Sequence, residues 1–161
     1  MEIGILSDTH SRYHTVETAL ALLQARNVNF LVHCGDIEDA ETVWLFQGFT
    51  THFTFGKCDT ERTELRQAIH GIGATLQESW GHLELDGRQL AFTHGDDKRL
   101  LHDLEQAGAF DYIFHGHTHQ AVDYKQGSTR IINPGALHRA RAKTFVVLDV
   151  ARGEAESVVV E

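Results

Sequence analysis

Short apolar runs alternate with helical stripes through the first two thirds of the chain. Residues 3–6, reading Ile3-Gly4-Ile5-Leu6, predict a short buried strand, because a brief continuous apolar run packs on both faces. Val16, Ala19, Leu20 and Leu23 follow at helical spacing and predict one amphipathic helix ending near Asn27. Residues 30–33 read as the next strand. Asp39 is placed to cap a helix that turns Val43, Phe46 and Phe49 inward. Residues 52–55 alternate like a third strand, and residues 61–70 read as helix.

The pattern then changes. Residues 81–86 and 89–93 predict two strands joined by a turn at Gly87-Arg88. Leu100, Leu101, Leu104 and Ala107 form a further helical stripe, stopped by Gly108. Residues 112–114, 122–124, 129–132, 145–150 and 157–160 read mostly as strands. An α/β first half and a β-rich second half predict two sheets packed together with helices outside. No linker, low-complexity stretch or internal repeat interrupts the chain, so a single domain over 1–161 is expected.

Composition narrows the classes of function. The hydrophobic fraction of 42% is ordinary for a folded protein. No apolar run approaches the ~20 residues that span a bilayer, and no membrane partner is expected. Met1 opens directly into the first strand, so no signal peptide and a cytoplasmic location are expected. Cys34 and Cys58 are then expected as reduced thiols. The formal net charge of −9 argues against a broad nucleic-acid-coating surface. It leaves room for an enzyme that cuts a phosphodiester. The 12 histidines are many for this length, and they are scattered rather than run together as a tag.

The candidate chemistry lies in Asp8-Thr9-His10, Gly35-Asp36, Thr93-His94-Gly95 and Gly116-His117-Thr118-His119, each just beyond an apolar run. Strand ends of a sheet can converge such side chains on one point. Two carboxylates repel each other there, and divalent cations relieve the repulsion. Asp8 and His10, two residues apart in an open loop, can both reach one cation. Gly35 allows a sharp turn before Asp36, whose two oxygens suit it to bridge two ions. Oxygen and imidazole donors together suit Mn, Fe, Zn, Co or Ni more than Ca. Taken singly, Asp-x-His and Gly-Asp are common chance or turn patterns. Gly-His-Thr-His is more specific, and the four in this order are hard to explain by packing.

The order of these motifs, with Gly56-Lys57-Cys58-Asp59 inside it and Asn133-Pro134-Gly135 near the end, resembles the calcineurin-like metallophosphoesterases. The short form is similar to their small phosphodiesterases of the YfcE type. The resemblance spans residues 3 to about 150. It implies the α/β class, as a four-layer α-β-β-α sandwich of two mixed sheets with flanking helices. It implies a first metal held by Asp8, His10, Asp36 and His119. It implies a second held by Asp36, His94, His117 and an Asn. The implied reaction is hydrolysis of small phosphodiesters by water or hydroxide on the metal, with Mn the most effective ion.

The Asn of that pattern is Lys57 here. A protonated ammonium has donors only and cannot ligate a metal. Four readings follow. Lys57 stands in for the second cation, or it loses its proton and coordinates as an amine. Or it points outward while Cys58, Asp59 or water completes the site, or it marks a weakened enzyme kept as a binding module. Two divalent ions against two carboxylates leave about +2, and one ion with Lys57 leaves about +1, so either site attracts a phosphate.

Cys58 occupies the position where many relatives carry a His proposed to protonate the leaving group. Its thiol either donates that proton or fills space. Asp59 orients a neighbour or caps the helix from Glu61, more readily than it attacks phosphorus. Cys34 reads as core, His115 as a rim or supporting residue, and Asn133 as shaping its turn. His14, His52, His70, His82 and His102 lack a motif. His138, Arg139, Arg141 and Lys143 form a basic cluster. It reads either as a solvated lead-in to a strand or as a rim where Arg139 and Arg141 meet a phosphate.

The expected function is that of a metal-dependent phosphodiesterase with one or two ions and an altered second site. A homo-oligomer is compatible with it. The alternative is a non-catalytic or weakly active interaction module, since the retromer scaffold subunit resembles the same fold with an altered metal site. Metal storage or sensing is a third class.

Overall fold

The structure is a computed structural model that describes residues 1–160. The first part runs β1 (Glu2–Leu6), α1 (Tyr13–Ala25), β2 (Phe30–His33), α2 (Ala40–Leu45), β3 (Thr50–Phe53), α3 (Arg62–Gly71) and β4 (Thr75–Leu76). The second runs β5 (Trp80–Leu85), β6 (Arg88–Thr93), α4 (Lys98–Gln106), β7 (Tyr112–Phe114), β8 (Val122–Gln126), β9 (Thr129–Asn133), β10 (Thr144–Asp149) and β11 (Glu154–Val159). One mixed sheet has the order β11-β10-β1-β2-β3-β4, the other β5-β6-β7-β9-β8.

Strand alternation divides the side chains between layers. Ile3 and Ile5 of β1 with Val32 of β2 meet Leu90, Phe92, Phe114 and Ile132 of the second sheet, forming the core between the sheets. Leu6, Leu31, Phe53, Phe145 and Val147 face the other way, onto Leu20, Leu23, Val43, Leu65 and Ile69 from α1, α2 and α3. Leu104 of α4 covers Ala91, Ile113 and Ile131 on the outer face of the second sheet. These are the four layers of an α-β-β-α sandwich.

Several boundaries differ from the sequence expectation. Helix α2 stops at Leu45, and Phe46 and Phe49 lie beyond it, although Phe46 is fully buried. Strand β3 starts two residues earlier than expected because parallel register pairs Phe30 with Thr50 and His33 with Phe53. Thr54 and Phe55 have by then left the sheet. Strand β4 is too short to show alternation and exists through its pairing with His52 and Phe53. Strand β11 extends back to Glu154, because pairing with Asp149 overrides its polar start. Among the described residues no helix is long and apolar enough to cross a membrane.

Strands β1, β2 and β3 are parallel in one sheet, and β6, β7 and β9 in the other. The loops after their C-terminal ends meet at one edge, where the His117 N–H donates to Asp8 at 3.0 Å. Such an edge is where open α/β sheets gather functional groups.

Candidate metal centre

Both carboxylates at this edge are tethered by one oxygen and present the other. Asp8 Oδ2 accepts from Ser7 Oγ at 2.6 Å and from the His117 N–H at 3.0 Å. Its Oδ1 is buried with no hydrogen-bond partner. That atom lies 3.1 Å from His119 Nε2, 3.6 Å from His10 Nε2 and 4.0 Å from His94 Nε2. Asp36 Oδ1 accepts from the Cys58 N–H at 2.7 Å. Its Oδ2 faces His94 Nε2 at 3.2 Å and His10 Nε2 at 3.5 Å.

The imidazoles are tethered in the same way. His94 Nδ1 donates to the Cys34 carbonyl at 2.8 Å, which aims Nε2, buried and without a hydrogen-bond partner, at the carboxylates. His10 Nδ1 donates to Glu38 at 2.8 Å, and its Nε2 faces His119 Nε2 at 3.4 Å. Nitrogen lone pairs facing carboxylate oxygens and each other repel unless a proton or a metal cation lies between them. The residues therefore fit a divalent ion. Donor atoms of Asp8, His10 and His119 lie within 4.8 Å of one another, as do those of Asp8, Asp36 and His94, and of His10, Asp36 and Cys58.

The titration of these groups carries the same demand. Burial pushes the His10 imidazolium down, but hydrogen bonds with Asp8 and Glu38 and the nearby Asp36 charge outweigh it and raise the pKa to about 9. Burial alone would raise the Asp8 carboxyl, yet the His10 hydrogen bond and the His94 charge hold it below its ordinary value. Asp36 is held down likewise, against burial, by His94 and by the Cys58 N–H. Protons on imidazole serve as counterions where a metal would otherwise serve.

The loop backbone is strained to do this. Asp8, His10, Asp36, His117 and His119 have φ of 55°, 43°, 58°, 68° and 58°. Side chains rarely adopt that left-handed region, and such strain persists only when the surroundings over-determine it. Two glycines permit the close packing. A Cβ on Gly56 would come within 2.3 Å of Asp36 Oδ1, and one on Gly116 within 1.8 Å of Ser7 Oγ.

Among the described residues, the Asp59 carboxylate accepts only backbone donors. Its Oδ2 accepts from the N–H groups of Asp36 at 2.9 Å and Gly56 at 2.7 Å, and its Oδ1 from Ile37 and Glu38 at 2.8 Å each. Four donors fill the acceptor positions of one carboxylate. This is the orienting arrangement of the two expected: Asp59 joins the loop of Asp36 to the loop of Gly56. It caps no helix, because α3 has Glu61 at its N-cap and no side-chain cap.

Lys57 is exposed, and among the described residues no hydrogen bond or ion pair holds its ammonium. Cys58 is exposed at the centre's rim, with its thiol pushed up to about 11 by burial and the Asp36 charge. The His117 ring packs edge-on against His94 at 5.2 Å between centroids, and none of the three donor triplets includes it. His115 is buried and bonds the Gly116 carbonyl. Asn133 accepts from the Gly135 N–H in its own turn and also donates to the Gly116 carbonyl at 2.9 Å. At the rim, the His138 ring lies 5.2 Å from that of His10, and the Arg139 carbonyl accepts from His119 Nδ1 at 3.5 Å. Arg139 and Arg141 are exposed. Ser7, Thr9, His33, Glu38 and Arg12 were not singled out from the sequence. Each acts by reaching across to another loop, for which local spacing carries no signal.

Residues 1–153 match the calcineurin-like phosphoesterase superfamily domain. The chain belongs to that superfamily and is a phosphoric ester hydrolase of its class. It is 28% identical over 166 residues to the phosphodiesterase MJ0936 of Methanocaldococcus jannaschii, covering 100% of both chains. A solved structure of a novel archaeal phosphodiesterase covers 99% of each chain with a TM-score of 0.92 and 27% identity. The YfcE phosphoesterase of E. coli covers 100% of each chain with a TM-score of 0.71 and 19% identity, a likeness of fold.

Proposed function

We propose that the chain is a single-domain, metal-dependent phosphodiesterase that hydrolyses small phosphodiesters, with Mn as its most effective ion. The observation that carries this reading is the pair Asp8 Oδ1 and His94 Nε2. Both are buried and unpartnered, 4.0 Å apart, and aimed inward by bonds to their other side-chain heteroatoms. Asp8, His10, Asp36 and His119 would hold the first ion. Asp36, His94 and His117 form a half-site that lacks the amide oxygen expected at position 57. A bound divalent ion supplies Lewis acidity and makes water acidic enough to act as a nucleophile near neutral pH.

The side chains do the rest. Lys57, unpaired at the rim, supplies the positive charge of the deficient half-site and donates to phosphoryl oxygens as negative charge develops there. Cys58 keeps its proton at neutral pH, as its raised pKa requires, and offers it to the leaving oxygen. Arg139 and Arg141 orient the substrate, and Asp59 positions the loops. Buried, unpartnered donors aimed at one point weigh against a purely non-catalytic module.

The test is metal content by elemental analysis, paired with turnover of bis(p-nitrophenyl) phosphate in added Mn. One ion per chain with turnover is expected. Bound metal with no turnover of diesters or monoesters would overturn the reading.

A further inference from the structure

The arginines of this acidic chain divide by location. Arg26, Arg66, Arg88, Arg99, Arg130 and Arg152 each pair with a carboxylate. Arg62 donates to the Asp59 carbonyl and lies over the Phe55 ring. Arg12, Arg139 and Arg141 have no carboxylate partner among the described residues. All three stand at the metal edge, in a chain with 23 acidic and 14 basic residues. Where acid is in surplus, arginines left unpaired in one place are suited to an anion that comes from outside.

A groove of about 870 Å³ accommodates such an anion. It lies between the start of α1 and the loop after β9, with Arg12, Tyr13, His138, Arg139 and Lys143 in its walls and, among the described residues that line it, Glu17 as the one carboxylate. It borders the metal centre: Ser11 in its wall follows His10, and the His138 ring lies 5.2 Å from that of His10. Arg12 is oriented for the task. Its Nε–H donates to His138 Nδ1 at 2.9 Å, which leaves both terminal nitrogens as donors. A neutral His138 then carries its proton on Nε2, as a further donor. The volume exceeds what a lone phosphate needs and falls within the range of small-molecule pockets.

We propose that this groove is a second-anion site and that the substrate is a phosphodiester carrying a further phosphate. The inference rests on the phosphodiesterase reading above. The scissile diester lies at the metal centre, while the second phosphate is gripped by Arg12, His138 and Arg139. A diester with uncharged substituents would leave those donors unused.

The test compares the 5′-phosphorylated thymidine dinucleotide pTpT with its dephosphorylated form TpT, which differ only in the terminal phosphate. One or two charge-assisted hydrogen bonds predict a kcat/KM ratio of about tenfold or more in favour of pTpT. In Arg12→Ala, and independently in Arg139→Ala, the ratio should fall to within about twofold of one. Equal turnover of the two dinucleotides by the wild type, or a preference that survives both substitutions, would overturn the groove assignment and leave the phosphodiesterase reading intact. If neither is turned over while metal is bound, the phosphodiesterase reading fails only if bis(p-nitrophenyl) phosphate is also left intact. Equilibrium binding of the same pair then decides the groove: tighter pTpT supports it, and equal binding overturns it.

Discussion

His33 Nε2 lies 3.1 Å from the Thr9 hydroxyl, fully buried at the end of β2. The Gly35 N–H donates to His33 Nδ1 at 3.2 Å, so the ring proton sits on Nε2 and is donated to Thr9. The Thr9 hydroxyl is in turn 3.4 Å from the Asp36 carbonyl. This relay joins the loop that carries Asp8 and His10 to the loop that carries Asp36. Burial pushes the His33 pKa down to about 3 and keeps the ring neutral, as the relay requires. His33→Leu, similar in bulk, should leave the Gly35 N–H unsatisfied and deprive the Thr9 oxygen of its donor, at a cost of about 1–3 kcal/mol. Chemical denaturation of the metal-free protein should show that loss, and metal titration a weaker first site. Unchanged stability and affinity would mean that the loops hold their geometry without the relay.

Asp59 should matter for metal binding without touching metal or substrate. Asp59→Asn keeps the volume but turns an acceptor into a donor opposite backbone N–H groups. The expected cost is about 2–4 kcal/mol, with lower metal stoichiometry at fixed metal concentration. Thermal unfolding and elemental analysis check both. Full metal binding in a destabilised variant would confine Asp59 to folding.

The pH dependence follows from His10, raised from 6.5 to about 9 in the metal-free protein. A raised histidine stabilises the fold fully below pH 6.5, and that contribution disappears as pH climbs through 9. Metal binding requires the unprotonated Nε2, so affinity should rise over the same window and binding should release protons. Isothermal titration in buffers of different ionisation enthalpy reads the released protons directly. The gap in Tm between loaded and metal-free protein should widen from pH 6.5 to 9. An affinity that does not change with pH would show that His10 is already neutral. On the acid side the depressed groups act. The contributions of Asp8 and Asp36 are lost as pH falls through their lowered pKa values, and that of neutral His33 erodes from 6.5 towards 3.

Lys57→Asn puts an amide oxygen beside the proposed half-site of Asp36, His94 and His117. Bound metal should rise from one ion to two per chain. Lys57→Met removes the charge without offering a ligand, and kcat should fall by about ten- to a hundredfold with one ion retained. Unchanged turnover in Lys57→Met would remove Lys57 from the chemistry.

Much of this protein was legible from periodicity alone. The run Ile3 to Leu6 and the stripe Val16, Ala19, Leu20 and Leu23 set a strand and a helix face, and the structure has both. Asp8, Asp36, His94 and His119 stood out because each follows an apolar run, and parallel strands end where their loops can meet. The sequence by itself therefore determined the layers and the edge where these side chains gather. Only the tertiary structure decided which oxygen of Asp8 and Asp36 faces inward, and that His10 leans on Glu38. It also decided that Asp59 serves backbone rather than substrate, and that His33 links the loops. The reason is physical. Periodicity reports what a residue's own element buries, whereas ligation depends on the direction of single atoms. Those directions are set by partners as far along the chain as His117 is from Asp8, brought together only when both sheets pack.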